Sequence, residues 1–308
     1  MLETSAPGAT FDLEEQHFHS ELDTSTLVRS LRFPLSMTLQ VTRRCNLRCV
    51  YCSEDALIKE PSSEFLHSLI DRMCGLERVI IAGGEPTLRD DITDLANHLS
   101  KTVRIVAMAS NSVLVTEKLA HDLSESLSYV DVTVDGTRET HNRIRGKYDE
   151  VLAGTRNFVE AGIDVSIVTV LLRDNMRDIL HVCNLADELH AKKLKILTPI
   201  RKGRGERILS HALGSTELQH LYNRVKKEKQ RRGWRFRITI TDWGLVDEGH
   251  ALLVHPDGDV VASPVPSAAK CITIVGNLKE NSLEWIWRKY PYKENHIRKY
   301  LEESLYVC

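Results

Sequence analysis

Strand-like and helix-like stretches alternate from residue 35 to residue 200 of this 308-residue chain. The predicted strands cover residues 35–41, 79–81, 103–108, 129–134, 165–172 and 194–197, and the predicted helices cover residues 63–76, 92–99, 116–127, 150–161 and 176–190. Because strands separated by helices pair in parallel with right-handed crossovers, the pattern predicts an α/β fold with helices outside a parallel sheet. An open sheet and a partial barrel both satisfy it, and in both the loops after the strands gather at one edge.

The regions on either side of this core do not show the same alternation of strands and helices. Residues 1–34 show no clear periodicity, so we expect an extended or partly ordered lead-in. Residues 202–210 are basic and glycine-containing, which indicates a linker or a lid. The last hundred residues predict a smaller α+β unit, with helices at 216–231, 280–287 and 294–305, a strand at 235–241 and a hairpin at 251–263. We therefore expect a lead-in at 1–34, a core at 35–205 and a C-terminal extension at 206–308.

The composition excludes several classes of partner. The formal charge is −2, and no broad basic field indicates a nucleic-acid partner. No stretch approaches the roughly 20 apolar residues of a membrane span. The first residues are polar and acidic, unlike a secretory signal. These features predict a cytoplasmic protein without membrane contact.

Three of the seven cysteines, Cys45, Cys49 and Cys52, occupy one short loop directly after the first predicted core strand. Crowded cysteines in such a chain indicate metal ligands rather than a disulfide framework. An iron–sulfur cubane usually takes four thiolates, so three would leave one iron open to a ligand. A closed zinc site would need a fourth ligand nearby, and no histidine has tight spacing to the loop. Zinc therefore stays open as the weaker alternative.

The text Cys45-Asn-Leu-Arg-Cys49-Val-Tyr51-Cys52 resembles the signature of the radical S-adenosylmethionine (SAM) superfamily, including the aromatic Tyr51 before the third cysteine. The resemblance implies a parallel-stranded partial (β/α)6 barrel with a small α+β C-terminal extension. It also implies a [4Fe–4S] cluster on Cys45, Cys49 and Cys52, with SAM at the open iron and Tyr51 in the SAM site.

The loop after the second strand reads Gly83-Gly84-Glu85-Pro86. Glycines let a backbone pass close to a ligand, and a carboxylate accepts from an ammonium, although a plain strand-to-helix turn has the same composition. In its position the loop resembles the superfamily segment that holds the SAM amino group, which implies that role for Gly83, Gly84 and Glu85.

Later strand ends carry further polar residues. Asn111 and Thr133 stand where the superfamily has Thr-Asn-Gly-like and Ser-Leu-Asp-Gly-like text, which implies SAM contacts for both, although this chain lacks the glycine after Asn111. The segment at 141–146 resembles a His-Asp-x-x-Arg-Gly motif. It implies that Arg145, or as second choice Arg143, grips the SAM carboxylate as a bidentate pair. Lone surface arginines and turn-forming polar residues are the structural alternatives.

The C-terminal segments at 254–260, 275–278 and 282–287 resemble the SPASM or Twitch extension of superfamily members that modify peptides. Only Cys271 and Cys308 remain in this extension, which is too few for an auxiliary cluster, so we expect none. Cys271 could donate a hydrogen atom to a substrate radical, or it could be an inert apolar residue. Cys74 and Cys183 lie on predicted helices and are expected in the core.

Together these features predict an enzyme that cleaves SAM reductively and abstracts hydrogen from an unactivated carbon of its substrate. A peptide is the favoured substrate class. The alternatives are an epimerase or dehydrogenase of a small molecule such as an aminosugar or nucleoside, and a zinc-binding interaction module without catalysis. An ordinary SAM methyltransferase would lack the cysteine triad. The resemblance implies a flavodoxin or ferredoxin as reductant.

Overall fold

A computed structural model describes residues 2–3, 6, 8–54, 59–200, 202–243, 249–263, 273–302 and 306–307. At the N-terminus, β1 (Leu2–Glu3), β2 (Ala9–Asp12) and β3 (His17–Ser20) form a small antiparallel sheet, followed by α1 (Thr24–Ser30). The sequence did not indicate these strands, because four residues or fewer are too short to give a periodic signature. Phe11 and Phe18 pack edge to face, with ring centroids 4.8 Å apart, and join this sheet to the core.

The main sheet takes strands from both the core and the C-terminal segment. Its strands are β4 (Ser36–Thr42), β5 (Arg78–Gly83), β6 (Ile105–Ser110), β7 (Tyr129–Thr133), β8 (Asp164–Val170), β9 (Lys193–Leu197), β10 (Arg237–Thr241), β11 (Ala251–Val254), β12 (Asp259–Ser263), β13 (Ile274–Asn277) and β14 (Tyr306–Val307). In the described part of the chain the order is β13-β12-β11-β4-β5-β6-β7-β8-β9-β10-β14. Pairing is parallel from β11 to β10 and antiparallel at the two ends. This is the predicted α/β fold with a partial barrel, and it is not a closed one.

Helices follow most of the strands. They are α2 (Ser63–Ile70), α3 (Ile92–Thr102), α4 (Glu117–Ser124), α5 (Arg138–Ile144), α6 (Tyr148–Glu160), α7 (Ile179–Glu188), α8 (Ser215–Arg232), α9 (Leu283–Lys289) and α10 (Lys293–Glu302). Ser62 caps α2 by accepting from the Phe65 N–H at 3.2 Å, as expected of a serine before a helix. Among the described residues, no helix combines the length and apolarity that crossing a lipid bilayer demands.

The two faces of the sheet differ in polarity. Successive side chains of a strand point to opposite faces, and one set, which includes Val130, Leu194 and Ile196, is buried in the apolar core. The alternate set, which includes Asp131 and Lys195, lines a cavity on the concave side. The outer face therefore supplies the apolar packing that stabilises the fold, and the inner face is free to carry polar chemistry.

The N-terminal hairpin closes the amino end of this concave side. Gln16 Oε1 accepts from the Ser166 hydroxyl in β8 at 2.6 Å, and the Glu15 carbonyl accepts from Lys193 Nζ at 3.4 Å. The carboxyl ends of the strands form the opposite edge, where the cysteine loop follows β4.

Candidate active site

The loops after β4 and β5 interlock at the carboxyl edge of the sheet. The Gly84 N–H donates to the Thr42 carbonyl at 2.9 Å, and the Glu85 N–H donates to the Arg44 carbonyl at 2.7 Å. A Cβ on Gly83 would lie 2.3 Å from the Thr42 oxygen, and one on Gly84 would lie 2.1 Å from the Arg44 oxygen. No larger residue fits, so both glycines are required for the close approach of the two chains. Their contact with SAM stays a prediction.

The three loop cysteines differ in exposure: Cys45 is exposed, Cys52 half-buried and Cys49 buried. Burial raises the pKa of Cys49 to about 11, although the charge of Arg145 opposes the shift. Cys45 Sγ accepts from the Leu47 N–H at 3.4 Å. Because only thiolates bind metal, loading this loop must release the proton that burial holds on Cys49.

The donor set of the loop fits an iron–sulfur cluster. Among the described residues, no three Cys, His, Asp or Glu side chains are close enough to enclose one metal ion. A cubane binds each thiolate through a different iron, so three thiolates leave one of its four irons open. Three soft thiols on one anchored loop therefore suit a [4Fe–4S] cluster with one open iron.

A buried polar cluster lies directly beside the cysteine loop. The Tyr51 hydroxyl donates to Asp135 and accepts from Arg145, and Arg145 Nε lies 3.7 Å from Asp135 Oδ2. Asp135 is fully buried and Arg145 is 8% exposed. Burial raises the pKa of Asp135, while Arg145 and the donors around the carboxylate oppose that shift. The structure thus brings Arg145, and not the exposed Arg143, to the loop.

Glu85 joins the second loop to the third. Its carboxylate is 1% exposed and accepts from the Thr87 N–H and hydroxyl, the Ser110 hydroxyl and the Asn111 N–H, at 2.6 to 3.1 Å. The Asn111 side chain continues this network by donating to Asn46 Oδ1 at 2.7 Å. Glu85 and Asn111 therefore fix the loop positions, and their binding of SAM stays a prediction. Thr133, the last residue of β7, is half-buried at the same edge.

Sequence reasoning missed a clamp on the cysteine loop. The predicted linker or lid forms 3-10 turns over Gly203–His211, with a kink at Ile208. Its Arg204 donates from Nε to the Cys49 carbonyl at 2.8 Å and from N to the Cys52 carbonyl at 2.9 Å. A Cβ on Gly203 would lie 2.8 Å from the Cys52 oxygen. The signal available in the sequence was an arginine between two glycines directly after the last core strand, but its partner lies 155 positions away.

The remaining cysteines separate into three cases. Cys183 is buried in α7, as expected. The prediction that Cys74 lies in the core is wrong: the helical segment ends at Met73, which leaves Cys74 exposed at its end. Cys271 and Cys308 lie outside the described residues, so the hydrogen-donor prediction for Cys271 stays open.

A large groove in the described part of the chain is remote from these residues. It measures about 890 Å³ and lies at the opposite edge of the sheet, where β9 and β10 begin, with Lys192 and Arg237 among its lining. Size alone therefore does not identify the candidate site, which rests on the convergence of loop chemistry at the carboxyl edge.

Comparisons with known proteins agree with this geometry. The sequence profile of the Radical SAM superfamily matches residues 39–186. The chain is 33% identical to an Fe-coproporphyrin III synthase of Methanosarcina barkeri over 187 residues, which is 58% of this chain and 47% of that relative. The chain thus spans about half the length of this relative.

Two further matches cover more of the chain. It is 28% identical to the mycofactocin maturase MftC of Mycolicibacterium smegmatis, over 84% of this chain and 71% of that protein. Streptococcus suis SuiB bound to the precursor peptide SuiA has a similar fold, with a TM-score of 0.71 at 16% identity, over 87% of this chain and 67% of SuiB. At that identity the likeness concerns the fold alone.

Proposed function

Because this chain belongs to the radical SAM superfamily, we propose that Cys45, Cys49 and Cys52 hold its [4Fe–4S] cluster and that it abstracts hydrogen from a peptide substrate. The observation that carries the proposal is the meeting of three thiols, an interlocked glycine loop and the buried Arg145 at one edge of the sheet. When bound, the cluster and SAM supply one-electron cleavage of SAM to methionine and a 5′-deoxyadenosyl radical.

The protein's own residues hold this site in place. Arg204 fixes the carbonyls of the cysteine loop, and Glu85 ties the second and third loops together. Tyr51 and Asp135 orient the Arg145 guanidinium, which supplies a fixed positive charge for the SAM carboxylate. These contacts fix the loops before any ligand binds, so little reorganisation is needed when the cluster and SAM are bound.

A peptide substrate is supported by the match to MftC over most of the chain and by the shared fold with peptide-bound SuiB. A small molecule is the second candidate, supported by the match of the core to Fe-coproporphyrin III synthase. Reaction at an oxygen-sensitive cluster with free thiols suits the cytoplasm, with a flavodoxin or ferredoxin as electron donor.

Anaerobic reconstitution with iron and sulfide tests the proposal. We expect about four irons per chain and release of 5′-deoxyadenosine under dithionite, both lost in a Cys45/Cys49/Cys52→Ala variant. Cys74→Ser is the matched control because Cys74 is an exposed cysteine outside the loop, and it should keep both. A colourless, zinc-containing protein that leaves SAM intact would contradict the proposal and favour a binding module. About eight irons would show that an auxiliary cluster is present.

A further inference from the structure

The concave side of the partial barrel contains a cavity of about 210 Å³ with an unusual balance of charge. Its cationic lining residues are Arg78, Lys193, Lys195 and Lys299, and the one carboxylate among the described lining residues is Asp131. The whole chain, by contrast, has a formal charge of −2. The formal charge of the lining is therefore positive, opposite in sign to that of the whole chain.

The contacts inside the cavity show which charges balance each other. Lys195 Nζ donates to both oxygens of Asp131, at 2.7 and 2.9 Å, so this pair is neutral as a unit. Arg78 and Lys193 are buried and make contacts of their own, such as that of Arg78 Nη1 with the Tyr129 hydroxyl at 3.1 Å. The inference therefore rests on the summed charge around the cavity and not on any cation being free. In a low-dielectric interior such a sum favours a bound anion.

Neighbouring histidines respond to the same positive charge. Burial lowers the pKa of His250, a lining residue, to about 2, and repulsion from Lys299 adds to the shift. Burial likewise lowers the pKa of His296, with further repulsion from Lys299 and Arg78. Both imidazoles stay neutral at physiological pH, so they can donate or accept hydrogen bonds, and the positive charge of the cavity comes from its lysines and arginine.

The cavity extends towards the candidate active site. Asp131 lies in the middle of β7, and Asp135, which accepts from Tyr51 of the cysteine loop, lies four positions further along the chain. At about 3.3 Å per residue, the Cα atoms of Asp131 and Asp135 are at most about 13 Å apart. Leu197, Thr241 and Trp243 continue the lining to the carboxyl edge. The lining therefore runs from the cations towards the edge that carries the cysteine loop.

We propose that this cavity binds an anionic group of the substrate, a carboxylate or a phosphate, with Lys193 and Lys299 among its charged partners. The inference rests on the proposed function, since it takes the radical to form at the cysteine loop. It specifies a substrate that carries its anionic group apart from its reacting carbon, because the cations line the barrel and the cysteine loop lies at the carboxyl edge. An acidic side chain of a peptide and the acid group of a small molecule share this chemistry.

Binding of simple probes to the reconstituted protein with SAM tests the assignment without knowledge of the substrate. Phenyl phosphate and 3-phenylpropionate carry the two anionic groups, and 3-phenylpropanol is the neutral match. We expect isothermal titration to show that at least one anion binds about tenfold more tightly than the alcohol. The anion that binds more tightly shows whether the cavity prefers a phosphate or a carboxylate. Lys193→Gln and Lys299→Gln should each weaken binding of that anion about tenfold, and Lys299→Arg should retain this binding.

Lys192→Gln is the matched control, because this lysine precedes Lys193 but pairs with Glu14 at the surface. Equal affinity for anions and alcohol, no anion binding, or equal loss in Lys192→Gln and Lys193→Gln would overturn the inference. Release of 5′-deoxyadenosine from the same samples separates the two proposals. SAM cleavage without anion binding overturns this inference alone. Anion binding without SAM cleavage overturns the proposed function and assigns the cavity to other chemistry.

Discussion

Replacement of Asp135 by asparagine tests whether the buried pair beside the cysteine loop holds the site together. Asp135 is fully buried, and its partner Arg145 is 8% exposed with Nε 3.7 Å away. Asparagine keeps the shape but removes the charge, so the guanidinium loses its counter-charge in a poorly solvated position. Losing one partner of a buried ion pair costs about 3–5 kcal/mol. We expect the Asp135→Asn apoprotein to unfold at clearly lower urea concentration, as measured by circular dichroism.

Asp149→Asn is the matched control, since Asp149 pairs with Arg138 at the surface, where the two side chains are 55% and 64% exposed. Exposed pairs contribute about 0–1 kcal/mol, so this variant should unfold close to the wild type. The two variants lose the same charge from the same stretch of chain and differ mainly in burial. Equal midpoints would refute the idea that Asp135 compensates a desolvated arginine.

Three further outcomes follow from the site geometry. Gly84→Ala would place a methyl group 2.1 Å from a main-chain oxygen of the cysteine loop. We expect this variant to lose about 1–3 kcal/mol of stability and to lose iron binding. Gly214→Ala, where the nearest contact would be 3.7 Å away, should keep its iron. Arg204→Ala removes a donor to the loop and should speed loss of iron to a chelator, while exposed Arg207→Ala should not. Burial lowers the pKa of His141 to about 4, below its unfolded value of about 6.5. The free energy of unfolding of the apoprotein should therefore fall by up to roughly 3 kcal/mol as pH falls from 6.5 to 4. The urea midpoint should depend less on pH in His141→Gln than in the wild type, and equal slopes would contradict this.

The sequence allowed the core and the order of the site loops to be predicted, because both depend on local patterns. Alternating strands and helices placed the loops carrying Cys45, Gly83 and Arg145 at one edge, and the structure brings all three segments to that edge. The preference for Arg145 over Arg143 agrees with their burial. Their contacts with SAM stay predictions. Several of these side chains already form hydrogen bonds with one another, so their positions alone do not show which of them bind SAM.

The parts that escaped prediction depend on contacts between distant residues. The strand β11 pairs in parallel with β4, more than 200 positions earlier in the chain, and no local pattern encodes such a neighbour. Arg204 reaches the cysteine loop across a similar gap. The N-terminal hairpin was missed because strands of four residues carry too little periodicity.

The two proposals assign cofactor chemistry and substrate choice to different parts of this fold. The loops at the carboxyl edge fix one another through main-chain contacts, so their sequence has little freedom. The inner face of the sheet is less constrained, because the apolar outer face already supplies the core packing. We expect exchange of the β9 lysines to leave the cysteine loop in place, because Lys193 contacts Glu15 and Lys195 pairs with Asp131, away from that loop. Proteins with the same edge can thus accept different substrates, and the inner-face residues of β7, β9 and β10 are where we expect this chain's selectivity to lie.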